Sequence, residues 1–200
     1  MKIIAITGSI ATGKSLVSNY LIKKGYPLVD TDKLSRLVVQ PDSEGLNQLV
    51  SAFGSKILQE DGNLDRKAFA KIIFNDEKSR ALADSILHPL ISDLARTRLN
   101  QYEREGNQIA FVDIPLYYEG QADIVVDSVW LVYTNEELQK ERLMSRNNID
   151  AKEAQNLINN QLSIEEKARL ADLIIDNTSS KQATYQQVDT LLEKLLNAEE

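Results

Sequence analysis

Residues 3–15 read Ile3-Ile4-Ala5-Ile6-Thr7-Gly8-Ser9-Ile10-Ala11-Thr12-Gly13-Lys14-Ser15: an apolar run ending in a match to GxxxxGK[ST]. The two required glycines, Gly8 and Gly13, let the backbone turn so that several N–H groups point inward at phosphate oxygens. The helix that follows presents its positive dipole end to the same place. In such a loop Lys14 reaches the outer phosphates and the Ser15 hydroxyl ligates Mg²⁺. The bland alternative is a glycine turn with a surface lysine.

Working outward, Leu16, Val17, Tyr20, Leu21 and Ile22 recur at helical spacing, and Gly25 is placed to close that helix at a left-handed cap. Further short apolar runs at Pro27 to Val29, Ile109 to Val112, Val129 to Tyr133 and Leu173 to Ile175 read, with Ile3 to Thr7, as buried parallel strands. The expected fold is therefore α/β: a five-stranded parallel sheet flanked by helices. Between the second and third strands, Asp32 to Glu105 is too long for a simple crossover and should carry several helices. Asp65 is expected to cap one of them, running through Phe69, Ile72 and Ile73. A long run from Asp76 to Arg104 should kink or break at His88-Pro89. Gly106 ends this insertion. After the fourth strand, Asn135 is placed to cap Glu136 to Arg146, and Asp150 with Glu153 forms a capping-box pattern. That charged segment is a candidate lid. Ser180 onward, with Val188, Leu191, Leu192, Leu195 and Leu196, reads as an amphipathic helix on the core.

Two hundred residues at 42% hydrophobic composition suffice for one core with appendages. We divide them into a nucleotide-binding core (1–31, 107–135 and 170–200), a helical acceptor insertion (32–106) and a lid (136–169). The formal charge of −7 argues against a general binder of nucleic acid or anionic membranes, so any anion site is local. The absence of cysteine excludes disulfides, thiolate metal sites and a cysteine nucleophile, and fits a reducing compartment. The N-terminal apolar run is too short for a secretory signal, and no stretch is long enough to span a bilayer. The expectation is a cytoplasmic enzyme.

Several residues join the loop as site candidates. Asp113 ends a central strand, where a carboxylate serves a metal or a water, or simply caps a turn. The phosphate loop favours the metal reading. Asp30 and Asp32 flank Thr31 at the end of the second strand. A carboxylate there is able to take a proton from an attacking hydroxyl, or to cap the next helix, a role for which Asp32 is well suited. Arg142 and Arg146 lie four apart on one helix face and Arg169 follows, either as charge for a triphosphate or as solvated arginines. His88, the only histidine, contacts a substrate phosphate or caps a kinked helix. Trp130 reads as core.

Taken together these segments resemble dephospho-CoA kinase, a P-loop kinase family, over nearly the whole chain. The resemblance rests on Thr7-Gly8 through Lys14-Ser15, Val29-Asp30-Thr31-Asp32, Leu87-His88-Pro89, Asp113-Ile114-Pro115-Leu116-Tyr117-Tyr118-Glu119 and Arg142-Leu143-Met144-Ser145-Arg146. Gln161, Arg169 and Ala171-Asp172-Leu173-Ile174-Ile175-Asp176-Asn177 complete it. It implies ATP-dependent phosphorylation of the ribose 3′-hydroxyl of dephospho-CoA, with Mg²⁺. It also implies that Asp32 is the catalytic carboxylate, and that Lys14 and Arg142 act on the phosphates. Gly8, Ala11, Thr12, Gly13, Ser15, Leu16 and Arg146 would contact the nucleotide, with Asn177 near the adenine. The insertion would hold the acceptor, with His88 and Glu119 as participants, and Ser15 and Asp113 would serve the metal. One departure stands out: the family loop is GGIGSGKS-like, whereas Ser9 and Ala11 replace two glycines here and Thr12 a serine, which changes local loop strain. A nucleoside or nucleoside-monophosphate kinase shares core, loop and lid. A GTPase-like switch would need DxxG after the third strand and NKxD. Asp113-Ile114-Pro115-Leu116 lacks the glycine, and NKxD is absent.

Overall fold

The five apolar runs form one sheet. The computed structural model describes residues 1–120 and 123–197. In it β1 (Lys2–Thr7), β2 (Leu28–Asp30), β3 (Ile109–Asp113), β4 (Ser128–Tyr133) and β5 (Leu173–Asp176) lie in the order β2-β3-β1-β4-β5, all parallel. The registers Ile6↔Asp113, Thr7↔Leu131 and Tyr133↔Asp176 bring the strand carboxyl ends to a common edge. The chain winds to one side of β1 and then to the other, which makes the edge beside β1 a topological switch point.

Alternation along the strands decides which face is filled by what. Ile4, Ile6, Ile109, Phe111, Trp130, Val132 and Ile175 pack against Val17 and Leu21 of α1 (Lys14–Lys23) and Val188 and Leu192 of α9 (Lys181–Asn197), all buried. The alternate set Ala5, Ala110, Val112 and Leu131 is buried too, so the central strands read as continuous apolar runs rather than alternating ones. β5 departs from that expectation. It lies at the sheet edge, and Leu173 and Ile174 remain 37% and 46% exposed, leaving only Ile175 in the core. The C-terminal helix packs on the core as its periodicity implies. Gly25 closes α1 at φ 90°, where its N–H and that of Tyr26 return to the Ile22 and Leu21 carbonyls. Residues 198–200, assigned above to the core, lie outside the described residues, as do 121 and 122.

By contacts the described chain forms two compact units, one of residues 1–29, 102–120 and 125–197, the other of 30–101 with 123–124. The second holds α2 (Thr31–Leu37), α3 (Glu44–Phe53), a 3-10 turn (Ser55–Ile57), α4 (Arg66–Asn75) and most of α5 (Glu77–Arg104). Its core is Val39, Leu46, Leu49, Ile57, Leu64, Phe69 and Ala83, with Phe53 edge-on to Phe69 at 5.4 Å. Asp65 caps α4 as expected, accepting from the Lys67 and Ala68 amides.

Two local expectations need correction. Of the kink or break expected at Pro89, the break does not occur: α5 runs through it for 28 residues. A proline inside a helix costs about 3 kcal/mol. Burial of Ala83 before it, and of Ser92, Ala95 and Leu99 after it, holds both halves. Among the last helices, α6 (Glu136–Asn147) is capped by Asn135 as read, and α7 (Ala151–Asn159) by Asp150. The reciprocal capping box belongs instead to Ser163 and Glu166 at α8 (Ile164–Leu170). No helix among the described residues is long and apolar enough to cross a membrane.

Phe111 is wholly buried and meets Trp130 edge-on at 5.5 Å and Tyr26 at 5.7 Å. Phe111→Ala should lower the unfolding free energy by about 3–5 kcal/mol, read from the shift in urea midpoint.

Candidate active site

The loop Gly8–Ser15 joins β1 to α1 at the carboxyl edge of the sheet, and its shape is imposed from beneath. Gly13, the residue before α1, has φ 90°, and a Cβ there would fall 2.1 Å from Asn177 Nδ2. Asn177 follows β5 directly and is buried. Its Nδ2 donates to the Thr12 carbonyl at 2.7 Å, and its Oδ1 accepts from the Thr184 hydroxyl of α9 at 2.8 Å. Its backbone N–H donates to the Tyr133 carbonyl at 2.8 Å. Arg142 of α6 joins this knot, donating from Nη2 to the Asn177 carbonyl at 2.8 Å and from Nη1 to the Thr12 carbonyl at 3.4 Å. Thr12 is buried and its hydroxyl donates to the Ser9 carbonyl at 2.9 Å, closing the turn from inside. On the far side of the loop the Ile10 N–H donates to Gln161 Oε1 at 2.8 Å. Ala11, one of the two residues that stand where the family loop has glycine, is held at φ 62°, a left-handed conformation that disfavours a Cβ.

At the start of α1, Lys14 forms an ion pair with Asp113 Oδ1 at the end of β3, and Ser18 Oγ donates to Asp113 Oδ2 at 2.6 Å. Both charged side chains are largely shielded, at 16% and 8% exposure, so their attraction is little screened by solvent. Ser15 is exposed in the first turn and Leu16 half-buried. Two hard oxygen donors, the Ser15 hydroxyl and the Asp113 carboxylate, thus belong to neighbouring elements. Among the described residues no group of three His, Cys, Asp or Glu could by itself hold a metal.

The segment after β3 is tied to α8. Glu119 Oε1 accepts from the Leu162 N–H at 3.0 Å and lies 2.6 Å from Lys167 Nζ, which is fully buried. That approach is an ion-pair distance at an angle that makes no hydrogen bond. We read it as an ion pair, because a buried ammonium needs its counter-charge whatever the angle. The Tyr118 hydroxyl is buried, and burial, with help from the Asp172 charge, pushes it up to about 12, so it stays neutral. Arg146 is exposed and donates to Asn147 Oδ1 at 3.0 Å; Arg169 is exposed on α8. Trp130 is core, as read.

In the second unit, the capping alternative for Asp32 is displaced by two residues. Asp30 is the N-cap of α2, accepting from the Lys33 N–H at 3.0 Å, and Asp32 stands exposed in the first turn. His88 lies in mid-helix with Nε2 3.7 Å from Asp84 Oδ1, one turn earlier, so it caps neither end of α5.

The arrangement thus joins Gly8, Ala11, Thr12, Gly13, Lys14, Arg142, Asn177 and Asp113 in one bonded assembly. Sequence reasoning missed Ser18, Thr184 and Lys167, and gave no task to Gln161. Ser18 was accessible, since it lies one turn from Lys14 and so faces the same carboxylate. Gln161 and Lys167 act on partners far along the chain, Ile10 and Glu119, and leave no local pattern, while Thr184 lies only seven residues past Asn177 but across the turn into α9.

Removing the knot's centre should be visible directly. Asn177→Leu leaves the Thr12 carbonyl with only the 3.4 Å bond from Arg142 and the Thr184 hydroxyl with only a 3.3 Å bond to the Ser180 carbonyl; at up to about 1–3 kcal/mol for each group, it should lower both the melting temperature and ATP affinity in calorimetry. In the other direction, Ala11→Gly relieves a left-handed residue worth about 1–2 kcal/mol, partly offset by about 0.4–1 kcal/mol of unfolded-state freedom. It should raise the melting temperature by about 2 °C in a thermal scan.

This geometry has close counterparts. The family model described as dephospho-CoA kinase matches residues 2–183. A dephospho-CoA kinase of Listeria innocua is 42% identical over 196 residues, covering 98% of each chain. One of Shouchella clausii is 44% identical over 191 residues, covering 96% of this chain and 97% of its own. The solved dephospho-CoA kinase from Campylobacter jejuni superposes with a TM-score of 0.73 at 27% identity, over 100% of both chains. With its phosphate loop, its sheet order and this likeness along its whole length, the chain belongs to the dephospho-CoA kinase family.

Proposed function

We propose that the chain transfers the terminal phosphoryl group of ATP to the ribose 3′-hydroxyl of dephospho-CoA, giving coenzyme A and ADP. The observation that carries this reading is the phosphate loop, held in shape by Asn177 and Arg142 with Lys14 at its mouth. Amides of Gly8 to Ser15 cradle the phosphates, and incoming phosphate oxygens compete with Asp113 for the Lys14 ammonium. Arg142 adds positive charge beside Gly13, its Nη1 lying 3.9 Å from where a Cβ would stand. Leu16 and Arg146 complete the nucleotide contacts, and Asn177 supports the loop while facing the adenine side.

Asp32 orients the acceptor hydroxyl and takes its proton as the oxygen attacks the γ-phosphorus. The bond from that phosphorus to the β,γ-bridging oxygen breaks, and ADP leaves. Ser15 and Asp113 fit Mg²⁺, since both offer hard oxygens and the rest of its shell would come from phosphates and water. Bound there, the ion would neutralise charge on the transferring group. Residues 1–31, 107–135 and 170–200 serve as nucleotide core, 32–106 as acceptor insertion with His88, and 136–169 as lid. Glu119 serves the acceptor from the segment that Lys167 holds. The cysteine-free sequence supports a cytoplasmic setting.

Asp32→Asn should bind ATP as the wild type does, while turnover of dephospho-CoA falls by about 10²–10⁴-fold, followed by coupled ADP release. Wild-type activity on a nucleoside monophosphate with none on dephospho-CoA would overturn the assignment.

A further inference from the structure

We propose that the Ser9 hydroxyl is a further contact to substrate, donating a hydrogen bond to the γ-phosphoryl group of ATP. Polar side-chain atoms seldom stay buried without a partner, because each forfeits its bond to water. Of the polar atoms so placed among the described residues, Ser9 Oγ alone belongs to the phosphate loop, and the residue is only 7% exposed.

The backbone around this hydroxyl is fixed. The Ser9 carbonyl accepts from the Thr12 hydroxyl at 2.9 Å and from the Thr12 N–H at 3.2 Å. Thr12 is thereby satisfied and Ser15 is exposed to water, so Ser9 carries the one loop hydroxyl that is both buried and unpaired. The family loop has glycine at this place. The hydroxyl is therefore an addition that destabilises the free loop until a partner arrives.

Its place in the loop identifies that partner. Asn177 and Arg142 hold the Thr12–Gly13 arm from the end of the site that follows β5. The Ser9–Ile10 arm is held from elsewhere: the Ile10 N–H donates to Gln161, and the adjacent Leu162 N–H donates to Glu119, in the segment that follows β3. β3 and β5 lie on opposite sides of β1. A triphosphate entering from the Asn177 side reaches the Ser9 arm with its last group, the one transferred. That group is anionic, and a hydroxyl donates to it more strongly than to a neutral acceptor. Having no partner to give up, the Ser9 side chain turns among its staggered χ1 positions to meet it. This inference rests on the reading above that ATP fills the loop with its adenine beside Asn177.

Calorimetric titration of ATP and of ADP, each with Mg²⁺, into wild type, Ser9→Ala and Ser9→Gly isolates the hydroxyl. Both nucleotides fill the loop, and only ATP carries the γ-phosphoryl group. The expected result is ATP binding weakened about 10–100-fold in both variants, with ADP within about twofold of wild type. Ser9→Ala should melt no lower than wild type, since it deletes an unpaired buried hydroxyl. Equal weakening of both nucleotides is what a merely structural serine would give. That result, an unchanged ATP affinity, its recovery in Ser9→Gly, or a lowered melting temperature in Ser9→Ala would each overturn the contact. No acceptor enters these titrations. A wild-type protein that binds ATP as described yet leaves dephospho-CoA unphosphorylated would sink the reaction assigned above and leave the Ser9 contact standing.

Discussion

The contact on which the rest depends is the hydrogen bond from Asn177 to the Thr12 carbonyl. A phosphate loop is a stretch of backbone bent so that its amides point inward, and nothing in its own sequence is strong enough to keep it bent. Here the restraint comes from below. One buried side chain satisfies a loop carbonyl and a helix hydroxyl at once, its backbone pairs with β4, and Arg142 donates both to that loop carbonyl and to the carbonyl of Asn177 itself. Gly13 is required because the amide of Asn177 occupies the space a Cβ would need. Steric and polar constraints therefore coincide at a single residue, which lets Ala11 sit at an unfavourable dihedral without the loop relaxing.

A second layer of restraint acts on the flanks. Lys14 and Ser18 share the Asp113 carboxylate, so the start of α1 is anchored to β3 as well as to β1. Gln161 takes a loop amide from the outside, and its chain neighbour Leu162 is bonded to Glu119, which is paired in turn with buried Lys167. A buried ammonium is expensive to leave unpaired. That pair therefore fixes the link between α7 and α8 more firmly than its exposed surroundings suggest.

How much of this was legible in sequence follows from the range of the forces involved. All five strands were readable as apolar runs, the central three because they are buried on both faces, and caps such as Asp65 and Asn135 announce themselves within three residues. Pro89 misled because the rule for proline is local, whereas the burial that keeps α5 whole is tertiary. β5 misled because an apolar run does not reveal that its strand lies at an edge. Within the site, GxxxxGK[ST] and the strand-end aspartates were visible. The knot was not, since its donor and acceptor lie 165 positions apart. Of the two aspartates around Thr31, only the structure shows that the helix cap is Asp30 and not Asp32.

That separation has a consequence for how the protein comes into being. The loop leaves the ribosome well before the residues that hold it, Asn177 and Thr184. At about 5–20 residues per second, the nascent loop waits on the order of ten to thirty seconds for them. The loop therefore gains its shape only once β5 and α9 have been made, and a chain that stops short of α9 carries the phosphate-loop sequence without the restraint that shapes it.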